Sequence, residues 1–280
     1  MKTKSIILFA AMVAIGLGSC NKSEEVANNS RNVQKISGNE INLGVLHNQG
    51  LDILLEAITP LYLDKESDFA KYMQIFAETI DELSYLLDGK ERNYFQLKET
   101  YSNFKSAGEV EAYIEEMQNN LIATDNLIGK MYNEICTNLN QLSEDPSFYL
   151  SDVSNQVEII DNMCQKIRDN YSSECKTELE AFSLKAMTEI CLHSFIYWSD
   201  NGNMEKWEDT VQYAKKDDKK DKKDNKEKKE KLKKVCQFVG ADVGGGLAGG
   251  AAGSVIPGVG TTFGAIAGGS CASGATAASW

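Results

Sequence analysis

Histidine is scarce in this sequence of 280 residues, which contains only two, and the usual catalytic motifs are missing. His47 and His193 stand alone, and neither has the spacing of a zinc motif, so we expect packed side chains and no metal site. No phosphate-binding loop or nucleophile elbow occurs. Neighbouring carboxylates such as Glu115 and Glu116 point about 100° apart on a helix and do not form an acid–base pair. The sequence therefore predicts a protein without catalytic activity and without a cofactor.

Charge of either sign is nearly absent from the last 46 residues, where Asp242 stands alone. Residues 21–214 carry 34 acidic and 15 basic side chains, a net charge of −19, whereas residues 215–234 have a net charge of +6. A body this acidic repels phosphate, so no nucleic-acid partner is expected. The uneven charge also indicates several unlike segments.

The amino terminus has the order of an export signal. Lysines at positions 2 and 4 precede an apolar run, Ile6–Gly18, that is too short to span a bilayer comfortably. The run ends in Leu17-Gly18-Ser19-Cys20, which resembles the lipobox of bacterial lipoproteins. This resemblance implies that residues 1–19 are removed and that Cys20 is acylated, which would anchor the chain in membrane lipid. The alternative is an ordinary signal peptide in which Cys20 occurs by chance.

Residues 20–39 are polar and are predicted to be a disordered tether. The acidic residues just after Cys20 resemble the surface-export signal of Bacteroidetes lipoproteins. The resemblance implies an outer-membrane lipoprotein of the bacterial cell envelope. Exposure at the cell surface and a periplasm-facing position both remain open.

Residues 40–214 repeat apolar side chains every three or four positions, which is typical of amphipathic helices. We predict an all-α fold, an antiparallel bundle of about five helices. The predicted helices cover residues 41–58, 69–87, 110–142, 153–167 and 179–195. Phe195, Tyr197, Trp198 and Trp207 form an aromatic cluster that is expected to close the core, with a ligand groove as the alternative.

Six cysteines remain once Cys20 is acylated, and an even number in an exported chain favours disulfides. We expect pairing within the bundle group and, separately, between the two cysteines of the tail; buried free thiols are the alternative. The bundle group is Cys136, Cys164, Cys175 and Cys191, and the tail pair is Cys236 and Cys271.

Residues 215–234 form a lysine-rich linker, interpreted as a solvated helix or a disordered spacer. Its lysines could attract an anionic surface, or expose the chain to proteases. Nothing in this segment can build a core, since Leu232 is its one apolar residue.

Residues 235–280 form a tail in which 13 residues are glycine and ten are alanine. Small residues four positions apart let helices approach closely in lipid, and Pro257-Gly258 predicts a turn between two arms. The tail resembles glycine-zipper domains of outer-membrane lipoproteins and of pore-forming or bacteriocin-like peptides. The alternative is a disordered extension. The predicted packing positions are Gly240, Gly244, Gly245, Gly249, Gly253, Gly260, Gly264 and Gly268.

The sequence is compatible with two main functions. The first is a non-enzymatic envelope lipoprotein whose bundle binds a protein partner or acts as a spacer, and whose tail associates with membrane or with itself. The alternative is a toxin-like effector whose tail, shielded by the bundle, enters a target membrane after exposure or cleavage at the linker. A weaker third possibility is a bundle that holds a small ligand between Trp198 and Trp207.

Overall fold

The computed structural model describes residues 42–59, 68–88, 95–124, 126–211, 224–253 and 260–279. Within these ranges the chain is helical and contains no strand, as the all-α prediction expects. The export signal with Cys20, the tether, residues 215–223 of the linker and the turn at Pro257-Gly258 lie outside the described residues.

The described ranges contain eleven helices. They are α1 (Leu43–Ile58), α2 (Phe69–Asp88), α3 (Phe95–Ser102), α4 (Ala107–Thr124), α5 (Asn126–Glu144), α6 (Pro146–Tyr149), α7 (Val153–Tyr171), α8 (Glu178–Ser199), α9 (Asn201–Val211), α10 (Asp224–Gly253) and α11 (Gly260–Ser279).

The helix count within the bundle differs from the prediction of about five. The helix predicted over residues 110–142 corresponds to α4 and α5, which end and begin on either side of residue 125, a position outside the described residues. The short helices α3, α6 and α9 have too few turns to show a periodic pattern. The other predicted helices agree with α1, α2, α7 and α8 to within a few residues.

Side chains at the helix starts explain several of these boundaries. Asn42 accepts a hydrogen bond from the Val45 amide at the start of α1, and Asp152 accepts one from the Asn155 amide at the start of α7. Helix α8 begins with a capping box between Thr177 and Glu180.

The glycine-rich helices α10 and α11 lie inside the bundle. They pack along each other, α10 also packs against α8 and α5, and α11 packs against α1. Residues 242–250 and 264–274 are buried throughout their length. The glycine-rich and alanine-rich segment, which carries only one charged residue, therefore forms the centre of the fold, and the other helices surround it.

Helix α10 crosses the boundary predicted at Val235. Its first part is the lysine-rich segment, where Lys233 and Lys234 are exposed, and its second part is the start of the glycine-rich tail. Contrary to the expectation that this segment adds nothing to a core, Leu232 is buried in the hydrophobic core. Lys229 donates a hydrogen bond to Glu144 at the end of α5, and the Lys233 Nζ lies 3.8 Å from the same carboxylate. These bonds lower the pKa of Glu144, an effect that is screened because the carboxylate is exposed.

None of the described helices is both long enough and apolar enough to cross a membrane.

Candidate functional site: the glycine-rich pair and its buried carboxylate

Helices α10 and α11, here called the glycine-rich pair, touch through their backbones. A Cβ atom on Gly249 would overlap the carbonyl oxygen of Gly264 and lie 2.8 Å from its carbonyl carbon. A Cβ on Gly245 would lie 2.5 Å from the Cβ of Ala272, and a Cβ on Gly268 would lie 2.8 Å from the Gly249 Cα. Only glycine allows helices to approach this closely.

The other predicted packing positions do not all share this contact. Gly240 has open space around it, and Gly244 is buried. The surroundings of Gly253 and Gly260 lie outside the described residues. The contact surface of the pair therefore centres on Gly245, Gly249, Gly264 and Gly268.

Glycines on the outer faces of the pair bring the surrounding helices close. A Cβ on Gly246 would lie 2.7 Å from Ile190 of α8, and one on Gly269 would lie 2.8 Å from the His47 ring of α1. The pair is thus fitted to the bundle on its outer faces as well as to itself.

Asp242 is the one charged residue of the tail, and it is fully buried. It accepts hydrogen bonds from Ser194 Oγ at 2.6 Å, from Trp198 Nε1 at 3.1 Å and from the hydroxyl of Ser273. The His47 Nε2 lies 3.5 Å from its Oδ1. These five residues, here called the Asp242 cluster, join α1, α8, α10 and α11. A buried carboxylate needs this many partners because burial removes its hydration.

His47 is fully buried, and both of its ring nitrogens face oxygen atoms. Its Nδ1 lies 3.1 Å from Asn48 Oδ1, while the Asn48 amide nitrogen donates to the carbonyl of His193 at 2.9 Å. Burial lowers the pKa of His47, but the charge of Asp242 and the polar contacts with Asp242, Asn48 and Gly269 outweigh it, so the pKa lies above its ordinary value. The cluster therefore favours an imidazolium beside a carboxylate.

The Asp242 cluster is not arranged as a catalytic triad. In a triad the histidine lies between the carboxylate and the nucleophile. Here Ser194 and His47 both face Asp242, so His47 cannot take the proton of Ser194. In the part of the chain that the structure describes, no group of three or more His, Cys, Asp or Glu residues is placed to hold a metal ion. The cluster can hold helices together and can change its charge.

The aromatic cluster lies in the core. Trp198 and Trp207 are buried with ring centroids 5.7 Å apart, and Trp198 stacks on Phe238 of α10 at 3.9 Å. Tyr197 donates a hydrogen bond to Asp52 and accepts one from Trp207. The indole rings face other side chains of the protein, so they offer no groove for a ligand.

The predicted disulfides are not present, because all six described cysteines are free thiols. Cys236 of α10 lies near Cys191 of α8, whereas Cys271 of α11 interacts with Tyr72 and Tyr101. The two tail cysteines therefore face different sides of the pair. The number of cysteines in the sequence could not show which way the Cys236 and Cys271 side chains face.

Among the bundle cysteines, the Cys164 thiol hydrogen-bonds with the Cys191 thiol, and this bond together with burial raises the pKa of Cys191 well above its ordinary value. Cys136 and Cys175 are half-buried and also form no disulfide. Thiols held protonated in this way are poor nucleophiles.

Sequence reasoning did not find the Asp242 cluster. The signal that could have found it is the isolated charge of Asp242 within an uncharged tail, because a lone charge in an apolar segment needs a partner when buried. The partner, His47, is 195 positions away in the sequence, so no local pattern connects the two.

Comparison of the chain with protein-family models, with curated proteins and with solved structures finds no match.

Proposed function

We propose that this protein is a lipid-anchored, non-enzymatic envelope protein that stores a membrane-active glycine-zipper hairpin inside an acidic helical bundle. The observation that carries the proposal is the position of the glycine-rich pair, which is enclosed by α1, α5 and α8 and not exposed as a separate tail. In this proposal the protein acts as a toxin-like effector: the pair leaves the bundle and enters a target membrane.

The composition of the glycine-rich pair suits lipid better than water. In water, each glycine within a helix is less favourable than alanine by about 1 kcal/mol, and a leucine-rich core would hold a bundle together without that cost. In lipid, close backbone packing at small residues is a main source of helix association. The contacts of Gly245, Gly249, Gly264 and Gly268 survive transfer to lipid because they lie between the two helices.

The order of charged and apolar residues along helix α10 suits its entry into a membrane. Its lysines precede an apolar segment without a break in the helix. Lysines at an anionic surface contribute about 1 kcal/mol each before nearby acids reduce the attraction. The lysine-rich part would stay at the headgroups while the glycine-rich part enters.

The acidic bundle would act as the solubilising cover. Residues 21–214 have a net charge of −19, so this part of the chain is repelled by an anionic surface that attracts the lysines. The acylated Cys20 would keep the chain on the envelope of the producing cell until exposure or cleavage at the linker frees the pair.

The competing function is an anchored scaffold or spacer, with the bundle as the surface for a protein partner or for self-association. The hydrogen bonds that Asp242 accepts favour it, because they fasten the pair to the bundle. In that case the pair is simply the core of a permanent fold.

Dye release from vesicles distinguishes the two. The full chain should release dye from vesicles containing anionic phospholipid, and Asp242→Asn should release it faster because the pair is held less firmly. Asp169→Asn is the matched control: Asp169 is exposed and accepts a hydrogen bond only from Gln165 of its own helix among the contacts described, so this variant should match the wild type. Folded wild type and folded Asp242→Asn that both leave the vesicles intact would contradict the effector function and favour the scaffold.

A further inference from the structure

His47 is placed where a surrounding helix meets the single charge of the glycine-rich pair. It comes from α1, whereas Asp242 comes from α10, and both side chains are fully buried. The His47 Nε2 has no hydrogen-bond partner at normal distance, and the Asp242 carboxylate lies 3.5 Å from it. This contact therefore depends on charge more than on a neutral hydrogen bond.

The surroundings of His47 suit only its protonated form. A neutral ring with its proton on Nδ1 keeps the bond to Asn48 but turns the Nε2 lone pair toward the Asp242 carboxylate. A neutral ring with its proton on Nε2 turns the Nδ1 lone pair toward Asn48 Oδ1. The Asn48 amide is held in that orientation by its bond to the carbonyl of His193. Either neutral form therefore places two lone pairs against each other.

We propose that His47 is a pH-sensitive latch, which holds the glycine-rich pair in the bundle while its ring is protonated and loosens the pair when the proton is lost. The biological role of this latch rests on the proposed function, because the latch would release the pair that enters the membrane. The latch itself is a property of the fold and can be tested without a membrane.

The other ionisable groups near the Asp242 cluster do not act as the pH-sensitive latch. From α8, Tyr197 faces Asp242, and burial raises its pKa well above the ordinary value, so it stays neutral. His193, also from α8, has its pKa lowered by burial and by the charge of His47. From α11 the one ionisable side chain among described residues is Cys271, whose pKa burial raises.

The direction of the pH effect follows from the raised pKa of His47. A group whose pKa is higher in the folded than in the unfolded chain stabilises the fold fully below its unfolded value, which is about 6.5 for histidine. That stabilisation is lost as the pH rises through the folded pKa. The pair should thus be held most firmly in mild acid and should loosen as the pH rises above neutral.

The test is the thermal unfolding midpoint of the full chain between pH 5 and pH 9. The wild type should lose at least about 3 °C as the pH rises through the folded pKa of His47. His47→Gln should have a lower midpoint at pH 5 and should not show this loss. His193→Gln should keep it, and the comparison is clean because the chain has no third histidine. A wild-type midpoint that does not fall over this range, or a loss that persists in His47→Gln, would overturn the latch.

A second measurement needs no variant that could fail to fold. In a nuclear magnetic resonance titration of the wild type, one histidine should titrate above pH 6.5 and the other below it. Two histidines that both titrate below pH 6.5 would also overturn the proposal. If these results hold while vesicles stay intact, the latch stands and only the effector function fails.

Discussion

Replacement of Gly249 by alanine should destabilise the folded chain by about 3 kcal/mol. The added Cβ would overlap the carbonyl oxygen of Gly264 and lie 2.9 Å from the Gly268 Cα, so it meets backbone atoms that cannot turn away. The two helices would have to separate along their whole contact. Denaturant unfolding followed by circular dichroism measures the change.

Gly240 provides the matched control on the same helix. No atom lies within 4 Å of the position where its Cβ would be, so alanine fits there without a shift. Gly240→Ala should stabilise the chain by about 0.5–1 kcal/mol because alanine restricts the unfolded chain and favours helix. Equal effects of the two substitutions would show that the close contact at Gly249 does not hold the pair together.

Replacement of Asp242 by asparagine should destabilise the chain by about 3 kcal/mol. The substitution keeps the size of the side chain but leaves the buried His47 ring without its counter-charge. It also replaces one acceptor oxygen with an amide that donates, although Ser194, Ser273 and Trp198 are all donors at this site. The free energy of unfolding at pH 5, where His47 is protonated, measures the effect.

Asp169→Asn is the control for this substitution as well. Asp169 is exposed, and its partner Gln165 can bond an amide oxygen as well as a carboxylate. Its unfolding free energy should change by less than about 0.5 kcal/mol. A similarly small change for Asp242→Asn would mean that the buried carboxylate does not fasten α10 to α1 and α8.

Local patterns in the sequence predict much of the helical structure and little of its assembly. The apolar repeat of α7 indicates its length because one face of the helix is buried. The position of α10 could not be predicted in the same way. Its glycines fit a membrane arm, a loose tail or a buried core, and the choice depends on α1 and α8, which are distant in sequence.

The sequence also predicts the structure of the lysine-rich segment only in part. Its composition indicates a solvated stretch, yet lysine and glutamate are good helix formers and the segment continues directly into a buried helix. The contacts of Lys229 and Lys233 with Glu144 fix this part of α10 beside the end of α5. Charge alone could not show that the segment and the tail share one helix.

The central claim is that the glycine-rich pair is stored in the bundle and leaves it at a membrane. Amide hydrogen exchange of the full chain, with and without anionic vesicles, tests this most directly. On addition of vesicles, the account predicts faster exchange in α1 and α8, which lose the helices that they cover, and retained protection in α10 and α11. Protection of α1 and α8 that stays unchanged with excess vesicles would contradict the claim and leave the pair as a permanent core.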